Sequence, residues 1–581
     1  MTAGNLVDAV GILEELAATD YILKDYVLFD LAECYQKLGE RKAAFEKFIE
    51  VVEKYKSSPL FKKAYLSAIK LKSSEDLEEA EKLAKDFLQN ISDDDLSAAE
   101  VINIFVKKGR GKEFEPLLKR LFLNGSSNFE FALHQLRDLN VNISKAELKE
   151  ALNEAYRKGR YRQIVKIVEE ENDRDTELKF ILGKSYFSVR NYNATIRYLN
   201  NTPYREGKII LASAFLRNND RLASEIMLRR LAAESKDGLY ELYLRFAELK
   251  RREGKVSEAK SELQRLFELY PEKRPETVWY LAWLNISIGA YKDAERLLEM
   301  LLKDYNYNDK DKILFWLGKI QEYSGKDGAI YFSRLNPKSY YAFRGKVSNV
   351  EGNVNKREDA VELTGSVKSS FLRAEELKKL FMDDYVSLEI KAVSKEINGS
   401  ALPNVAKLLS SIGRYDLLLQ ISERFGEINS YTYPLAYYDE VSDISEKLGV
   451  DRFLVLAVMR EESRFNRNVL SVTGAIGLMQ LMPGTAKRYL SVKGSEEIYQ
   501  IDKNIKAGVR YLSKLLRDYG NMFYAVAAYN AGENRVNSWL NKKYRNVDEF
   551  VEDIPFGETR NYVKKVMKSY YIYKILYCGE R

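Results

Sequence analysis

The chain has 581 residues, of which 31% are charged and 45% hydrophobic, and its formal net charge is +7 at pH 7. This length exceeds what one hydrophobic core serves, and the composition excludes a disordered chain. The mild positive charge permits an anionic partner, but the sequence lacks the basic blocks of nucleic-acid tails, so we expect no nucleic-acid partner.

Signals for membranes, export, metals and disulfides are sparse. No stretch approaches the roughly 18 apolar residues that span a bilayer, and the start MTAGNLVDAV lacks the basic and apolar regions of a secretory signal. Cys34 and Cys578 lie at opposite ends of the chain, so we favour two unpaired thiols. With His134 as the single histidine, we expect no metal site, no serine–histidine triad and no cofactor.

The first 335 residues repeat a pattern of paired helices. Segments 246–271 and 281–305 share small residues spaced by 35 positions, namely Ala247, Gly254 and Ala259 followed by Ala282, Gly289 and Ala294. A weaker copy at 31–59 follows the tetratricopeptide (TPR) pattern, and such a period predicts a stacked solenoid over residues 1–335. Its surface either binds a polymer or peptide, or the repeats serve only as a spacer.

A linker region follows the repeats. After NPKSYYAFRGK, a polar stretch runs to about residue 358 and is the best candidate for an exposed connection. Helical periodicity then returns up to about residue 422. We therefore predict a helical linker domain over residues 336–430 and a third domain over residues 431–581.

The third domain holds an apolar helix that ends in two adjacent glutamates. Asp451 is a suitable cap for RFLVLAVMREES, and apolar residues three, four and seven positions before Glu462 share its face. Glu461 points about 100° away, so we expect it to reach solvent or a basic partner. Burial beside apolar groups raises the pKa of a carboxyl, which lets a glutamic acid protonate a leaving oxygen near neutral pH.

A segment rich in glycine and methionine follows that helix. SVTGAIGLMQLMPGT has glycines that permit close backbone approach, methionines that form an adaptable apolar wall, and Gln480 as a hydrogen-bonding amide. The alternative is a glycine-rich turn with methionine in the core. Further on, Tyr529 lies near a helix end broken by Gly532, and a buried tyrosine hydroxyl needs a partner such as a carboxyl.

Four blocks in this domain resemble, in order and spacing, the soluble lytic transglycosylases of bacteria, which belong to the lysozyme-like superfamily. They are RxES, SxxGAxGLMQLMPGTA, AYNAG and EDIPFGETRNYV. The resemblance implies that Glu462 and Tyr529 are the catalytic residues, with Glu462 as the acid and base and Tyr529 as its hydrogen-bond partner. It implies substrate binding by Ser471, Gln480, Met482, Ala528 and Glu558.

The same resemblance implies an all-α fold and a reaction. The fold would be a TPR-like superhelical ring, a helical linker domain and a lysozyme-like catalytic domain. The reaction would cleave the β-1,4 bond between N-acetylmuramic acid and N-acetylglucosamine in peptidoglycan. Glu462 would protonate the glycosidic oxygen and then deprotonate the C6 hydroxyl, which leaves a 1,6-anhydro sugar without water.

The resemblance also implies a periplasmic location after removal of a signal, cleavage from chain ends, and partners among cell-wall synthesis or remodelling proteins. The family pattern departs at Glu461, where glutamine is usual, at Arg467, and at Glu533–Asn534. The added charge of Glu461 is expected to raise the pKa of Glu462. A goose-type lysozyme or chitinase-like hydrolase, and a non-catalytic glycan-binding scaffold, are the alternatives.

Overall fold

The fold is all-α, as predicted. In this computed structural model the chain is described over residues 3–90, 94–305, 307, 309–345, 362–471, 473–490 and 494–578. Within those ranges the residues form helices and short turns, and β-pairing is limited to the isolated bridges Leu470–Ile476 and Ile476–Leu481. Most of the predicted exposed connection before residue 358 lies outside the described residues.

The chain divides into two compact units, Met1–Ala290 and Tyr291–Arg581. The helices of the first unit are α1 (Ala3–Ala18), α2 (Lys24–Leu38), α3 (Arg41–Lys54), α4 (Phe61–Lys72), α5 (Leu77–Asn90), α6 (Asp95–Val106), α7 (Glu115–Leu123), α8 (Phe129–Asp138), α9 (Lys145–Arg157), α10 (Tyr161–Glu170), α11 (Thr176–Ser188), α12 (Tyr192–Leu199), α13 (Arg205–Arg217), α14 (Arg221–Glu234), α15 (Tyr240–Arg252), α16 (Val256–Leu269) and α17 (Arg274–Ser287).

The second unit contains the remaining helices. They are α18 (Tyr291–Lys303), α19 (Lys310–Tyr323), α20 (Ala329–Phe332), α21 (Tyr340–Arg344), α22 (Gly365–Lys379), α23 (Asp383–Ala392), α24 (Leu402–Ser411), α25 (Tyr415–Ser422), α26 (Tyr438–Leu448), α27 (Arg452–Ser463), α28 (Pro483–Tyr489), α29 (Ile501–Tyr519), α30 (Met522–Ala531), α31 (Glu533–Leu540), α32 (Val547–Asp553) and α33 (Gly557–Cys578).

Consecutive helices of the first unit pack as pairs, for example α2 with α3 and α15 with α16. The turn glycines adopt left-handed backbone conformations, with φ of 89° at Gly39 and 77° at Gly254, which a side chain would strain. Ala247 and Ala259 are fully buried, so their helices approach closely. The predicted repeat of helix pairs is therefore confirmed, although the boundaries proposed for the three domains remain predictions.

The second unit includes the last predicted repeat, residues 316–335, together with the linker and catalytic regions. Acidic residues of α32 contact both this repeat and α21. The Tyr341 hydroxyl donates to Glu552 at 2.6 Å, and Arg344 pairs with Asp548 at 2.6 Å. Lys564 of α33 completes the cluster by donating to Glu552 at 2.7 Å. An ion pair and a hydrogen bond thus fix α21 against α32, and Lys564 joins α33 to the same carboxylate.

Helix α27 lies in the core of the second unit, where it packs against α26 and α33. Its successive residues from Phe453 to Met459 are all buried, which explains why this helix has no polar face. Asp451 caps it, as predicted, by accepting a 2.9 Å hydrogen bond from the Phe453 amide. The last turn of α27 is therefore held in place by the packing of this helix against α26 and α33.

Two further predictions from the sequence concern membrane-spanning helices and the pairing of the two cysteines. Among the residues that the structure describes, no helix is both long and apolar enough to cross a membrane. Both Cys34 and Cys578 are free thiols, as predicted.

Candidate active site

Glu462 occupies the last turn of α27, which ends at Ser463. Arg464 follows in a left-handed conformation with φ of 53°, so the chain turns sharply away from the helix axis. The Ser463 hydroxyl donates to the Met459 carbonyl at 3.1 Å and closes the final turn. The glutamate is consequently held on a rigid helix end whose preceding turns are buried.

The carboxyl of Glu462 has the protonation behaviour of a general acid. Burial is the main cause that raises its pKa to about 7, and the charges of Glu461 and Glu558 raise it further. The Tyr562 hydroxyl acts in the opposite direction. Although solvent still reaches part of the residue, a large fraction of the molecules carries a proton on this carboxyl at neutral pH.

Glu461 does not share this environment. Its carboxylate accepts a 2.8 Å hydrogen bond from Arg460 and a 2.7 Å hydrogen bond from the Ser569 hydroxyl. Its side chain is 13% exposed, so of the two predicted outcomes, solvent or a basic partner, the structure has the basic partner. The helical spacing thus correctly distinguished the ion-paired Glu461 from Glu462, which shares its helix face with apolar residues.

Tyr529 lies beside Glu462 but makes a different hydrogen bond from the expected one. Its hydroxyl donates to the backbone carbonyl of Met479 at 2.8 Å, and its ring packs on Tyr511 with centroids 5.2 Å apart. The expected hydrogen bond to Glu462 is absent between these two described residues. The reason is geometric, because the carbonyl of Met479 takes the place that the carboxyl was expected to fill.

The glycine–methionine segment is held from beneath by Asn504. This amide is 1% exposed; it accepts from the Met479 amide at 2.8 Å and donates to the Ile476 and Ile498 carbonyls at 3.0 and 2.8 Å. Gly508 of α29 permits the close approach of the segment, since a Cβ there would lie 2.2 Å from the Met479 sulfur. The segment is therefore a fixed wall next to Glu462.

The polar residues predicted on this wall are partly used within it. The Gln480 amide donates to the Gly477 carbonyl at 2.9 Å and to Val469 at 3.3 Å, so its carbonyl oxygen is the part left to bind a ligand. The Ser471 hydroxyl accepts from the Ala475 amide at 2.8 Å. Met482 is 45% exposed, which is unusual for methionine and suits a contact surface for a ligand.

The last two predicted substrate-binding residues differ from each other. Ala528 is fully buried in α30 and its carbonyl accepts from the Gly532 amide at 2.8 Å, so the structure offers no side-chain contact there. Glu558 is exposed in the first turn of α33, and its charge acts on Glu462. The Thr559 hydroxyl donates to Asn530 at 2.7 Å and so joins this turn to the end of α30.

Tyr562 is a site residue that the sequence reasoning missed. Its hydroxyl faces Glu462 and lowers the pKa of that carboxyl, yet the two groups fall short of hydrogen-bond geometry. Among the described residues this buried hydroxyl has no hydrogen-bond partner, which is costly. The sequence signal that could have identified Tyr562 is its place in the EDIPFGETRNYV block. Asn504 was missed as well, and the sequence around it offered no signal beyond a helical pattern.

The arrangement supports acid–base chemistry by a single carboxyl. Among the described residues, the other carboxyls that act on Glu462 are the ion-paired Glu461 and the exposed Glu558. No group of three or more His, Cys, Asp or Glu residues in the described ranges is placed to hold a metal ion. One proton donor beside a fixed, partly apolar wall is suited to general acid catalysis.

Sequence comparison matches the part of the chain that contains Glu462 to a known domain family. Residues 441–550 match the transglycosylase SLT domain and residues 26–58 match the tetratricopeptide repeat. The soluble lytic murein transglycosylase of Salmonella typhimurium is 32% identical over 220 residues, which are 36% of this chain and 34% of that protein. The Escherichia coli protein of the same name is 40% identical over 152 residues, 24% of each chain. The chain thus matches about a third or less of these relatives' length.

Solved structures match over nearly the whole chain. The 70 kDa soluble lytic transglycosylase from Escherichia coli has a TM-score of 0.62 at 17% identity, with 99% of this chain and 97% of that chain covered. An inactive variant of lytic transglycosylase Slt from Pseudomonas aeruginosa has a TM-score of 0.58 at 18% identity, with 97% and 93% covered. Residues 441–550 are therefore a transglycosylase SLT domain, carried in a chain with the fold of the soluble lytic transglycosylases.

Proposed function

We propose that this protein is a lytic transglycosylase that cleaves the β-1,4 bond after N-acetylmuramic acid in peptidoglycan and forms a 1,6-anhydro sugar. The observation that carries the proposal is the carboxyl of Glu462, whose pKa burial raises to about 7 at the end of an apolar helix. Relatives that share this domain bear the name soluble lytic murein transglycosylase. The assignment to the whole chain is an inference from the domain and the site.

Glu462 performs both proton transfers in this mechanism. In its acid form it protonates the glycosidic oxygen as the bond to the anomeric carbon breaks, while the substrate's N-acetyl group assists at that carbon. The resulting carboxylate then removes the proton of the C6 hydroxyl, whose oxygen closes the anhydro ring. The proton returned to Glu462 balances the proton donated, so the enzyme ends each cycle as it began.

The ion pair of Glu461 supports this single-carboxyl scheme. Hydrolases of the common kind need a second carboxylate to act on water or on the anomeric carbon. Glu461 is bound by Arg460 and Ser569, so its carboxylate is engaged on the side of α33. Intramolecular attack by the sugar's own hydroxyl replaces the second carboxylate.

The remaining residues contribute binding. The exposed thioether of Met482 and the free carbonyl oxygen of Gln480 form a surface for a sugar ring, and we assign substrate binding to Ser471 and Glu558 as well. Tyr529 holds the wall through Met479. We assign Ala528 a packing role only. A periplasmic location, cleavage from chain ends, glycan binding by the repeats and contacts with cell-wall remodelling proteins are further parts of the proposal.

The test is product analysis on purified peptidoglycan. The full chain should release muropeptides whose terminal sugar is one water lighter than the hydrolytic product, as measured by mass spectrometry. The Glu462→Gln variant, prepared identically, should release none. Reducing ends of full mass would identify a lysozyme-like hydrolase, and glycan binding without any cleavage would identify a scaffold. Either result would overturn the proposal.

A further inference from the structure

Three tyrosines form a row that starts at the wall beside Glu462. The ring of Tyr529 packs on Tyr511 with centroids 5.2 Å apart, and the ring of Tyr511 packs on Tyr489 with centroids 5.4 Å apart. Neighbouring rings are tilted by 35° and 36°, so the row runs without a break from α30 over α29 to the last residue of α28. We call these three residues the tyrosine row.

The tyrosine row is fixed to the wall at both ends. At one end the Tyr529 hydroxyl donates to the Met479 carbonyl at 2.8 Å. At the other end Tyr489 closes α28, whose N-cap is Met482 of the wall. Arg510 of α29 donates to the Tyr489 carbonyl at 2.9 Å and ties the end of α28 to α29. Backbone and side-chain contacts therefore place the row next to the wall.

One face of α28 connects the wall to the outer end of the row. Met482 and Tyr489 are seven residues apart, which is nearly two helical turns, so they share that face. Thr485, which is partly exposed, lies on the same face between them. The distance along the helix is about 10 Å, close to the length of a disaccharide unit. A surface that accepts a sugar ring at Met482 thus continues to Tyr489 one disaccharide unit further on.

The two outer tyrosines have the character of a ligand-binding surface. Tyr489 and Tyr511 are partly exposed, and neither hydroxyl forms a hydrogen bond with the residues that the structure describes. Solvent reaches both hydroxyls, in contrast to the buried hydroxyl of Tyr562. Ring packing alone requires no hydroxyl, whereas a polar ligand has a use for a group that both donates and accepts.

We propose that Tyr489 and Tyr511 form a further sugar subsite, which binds the glycan chain one disaccharide unit away from the ring held by Met482 and Gln480. The inference rests on the proposed function, because it assumes a β-1,4-linked glycan beside the wall. A pyranose ring has an apolar C–H face and hydroxyls at its edge, and a tyrosine offers the matching apolar ring and polar hydroxyl. Both tyrosines lie outside the four blocks that resemble known transglycosylases, so the resemblance assigns them no role.

The experiment measures KM for soluble peptidoglycan oligomers that differ by one disaccharide unit. For the wild type, KM should fall once the chain is long enough to reach Tyr489. Tyr489→Ala in the full chain should raise KM for these longer oligomers roughly fivefold, while the KM of the shortest cleaved oligomer stays the same. Because the subsite binds substrate and transition state equally, kcat should not change.

Three further variants separate the subsite from a packing role. Tyr489→Leu keeps an apolar side chain against Tyr511 but lacks a flat ring, so it should act like the alanine variant. Tyr489→Phe keeps the ring and should retain most of the affinity for the longer oligomers. Tyr499→Ala removes a partly exposed tyrosine of the same domain that lies outside the row, and it should change no KM.

An equal rise in KM for every oligomer length, or no rise for the longer oligomers, would overturn the subsite. Calorimetric binding of the same oligomers to full-length Glu462→Gln, with and without Tyr489→Ala, gives the comparison without cleavage. If the wild type cleaves no oligomer, but binding strengthens with length only when Tyr489 is present, the proposed function fails and the subsite stands.

Discussion

The Tyr529 hydroxyl donates to the Met479 carbonyl at 2.8 Å, and this hydrogen bond joins α30 to the wall beside Glu462. Tyr529 therefore positions the wall next to Glu462 and donates no hydrogen bond to that carboxyl. The wall is also held by Asn504, so two independent supports fix the same backbone.

Replacing Tyr529 with phenylalanine should have a moderate effect. The ring keeps its packing on Tyr511, but the Met479 carbonyl loses a donor, which costs about 1 kcal/mol of stability. We expect kcat/KM on peptidoglycan fragments to fall roughly tenfold, far less than for a lost catalytic acid. A loss as complete as that of Glu462→Gln would instead assign Tyr529 a direct chemical role.

Tyr562→Phe should shift the pH dependence of kcat/KM toward higher pH. The hydroxyl lowers the pKa of Glu462, so its removal keeps the carboxyl protonated to higher pH. The high-pH limb of kcat/KM should rise by about half a pH unit. Glu461→Gln is the matched opposite, because loss of a like charge lowers the pKa of Glu462 and moves that limb downward. Identical shifts in the two variants would contradict the assignment.

Glu462→Gln should be more stable than the wild type in alkali. The folded-state pKa of about 7 exceeds the ordinary value of 4.5, so the cost of the buried carboxyl is absent below pH 4.5 and complete above pH 7. At pH 8 the variant should gain about 3 kcal/mol in the free energy of unfolding, and at pH 4 nothing. Urea unfolding at the two pH values measures this, and equal stability at both would show that Glu462 is not desolvated.

Gly508→Ala tests the closeness of α29 to the wall. A methyl group would lie 2.2 Å from the Met479 sulfur and 2.8 Å from its Cβ, so the segment must shift. We expect a loss of about 1–3 kcal/mol in stability together with reduced activity. Gly484→Ala is the control, since its added Cβ would meet nothing within 4 Å. Comparable effects in both variants would indicate a general intolerance of the domain.

Glu552→Gln should weaken the second unit at neutral pH. Burial opposes ionisation of Glu552, but Lys564, Lys312 and Arg560 outweigh it and lower the pKa to about 2. The wild type therefore has this stabilisation above about pH 4.5 and loses it as the pH falls toward 2. The variant should lose about 3 kcal/mol at pH 7 and show a flatter acid limb in denaturant titrations.

The sequence predicted those features that depend on spacing along one element. The 35-residue repeat located the turn glycines, and the 3.6-residue period separated Glu462 from Glu461. It did not predict Tyr562, because nothing in the period of α33 specifies that its hydroxyl meets a helix end 100 residues earlier. Contacts over such distances depend on how elements pack together.

The same limit applies to the partner of Tyr529. A buried hydroxyl needs an acceptor, and the sequence offered a carboxyl and several backbone carbonyls nearby. Resemblance favoured the carboxyl, whereas the structure has the Met479 carbonyl. Backbone acceptors have no signature in side-chain chemistry, so only the fold distinguishes them.

The acidic face of α32 limits how this protein can be divided. Glu552 accepts a hydrogen bond from Tyr341 and Asp548 pairs with Arg344, and both partners precede residue 430 and belong to the predicted linker region. A fragment starting at residue 431 would carry the whole SLT domain yet leave these buried carboxylates short of partners. We therefore expect that this fragment would not fold stably when fused to an unrelated protein. The new partner would have to provide a tyrosine and an arginine in the places of Tyr341 and Arg344.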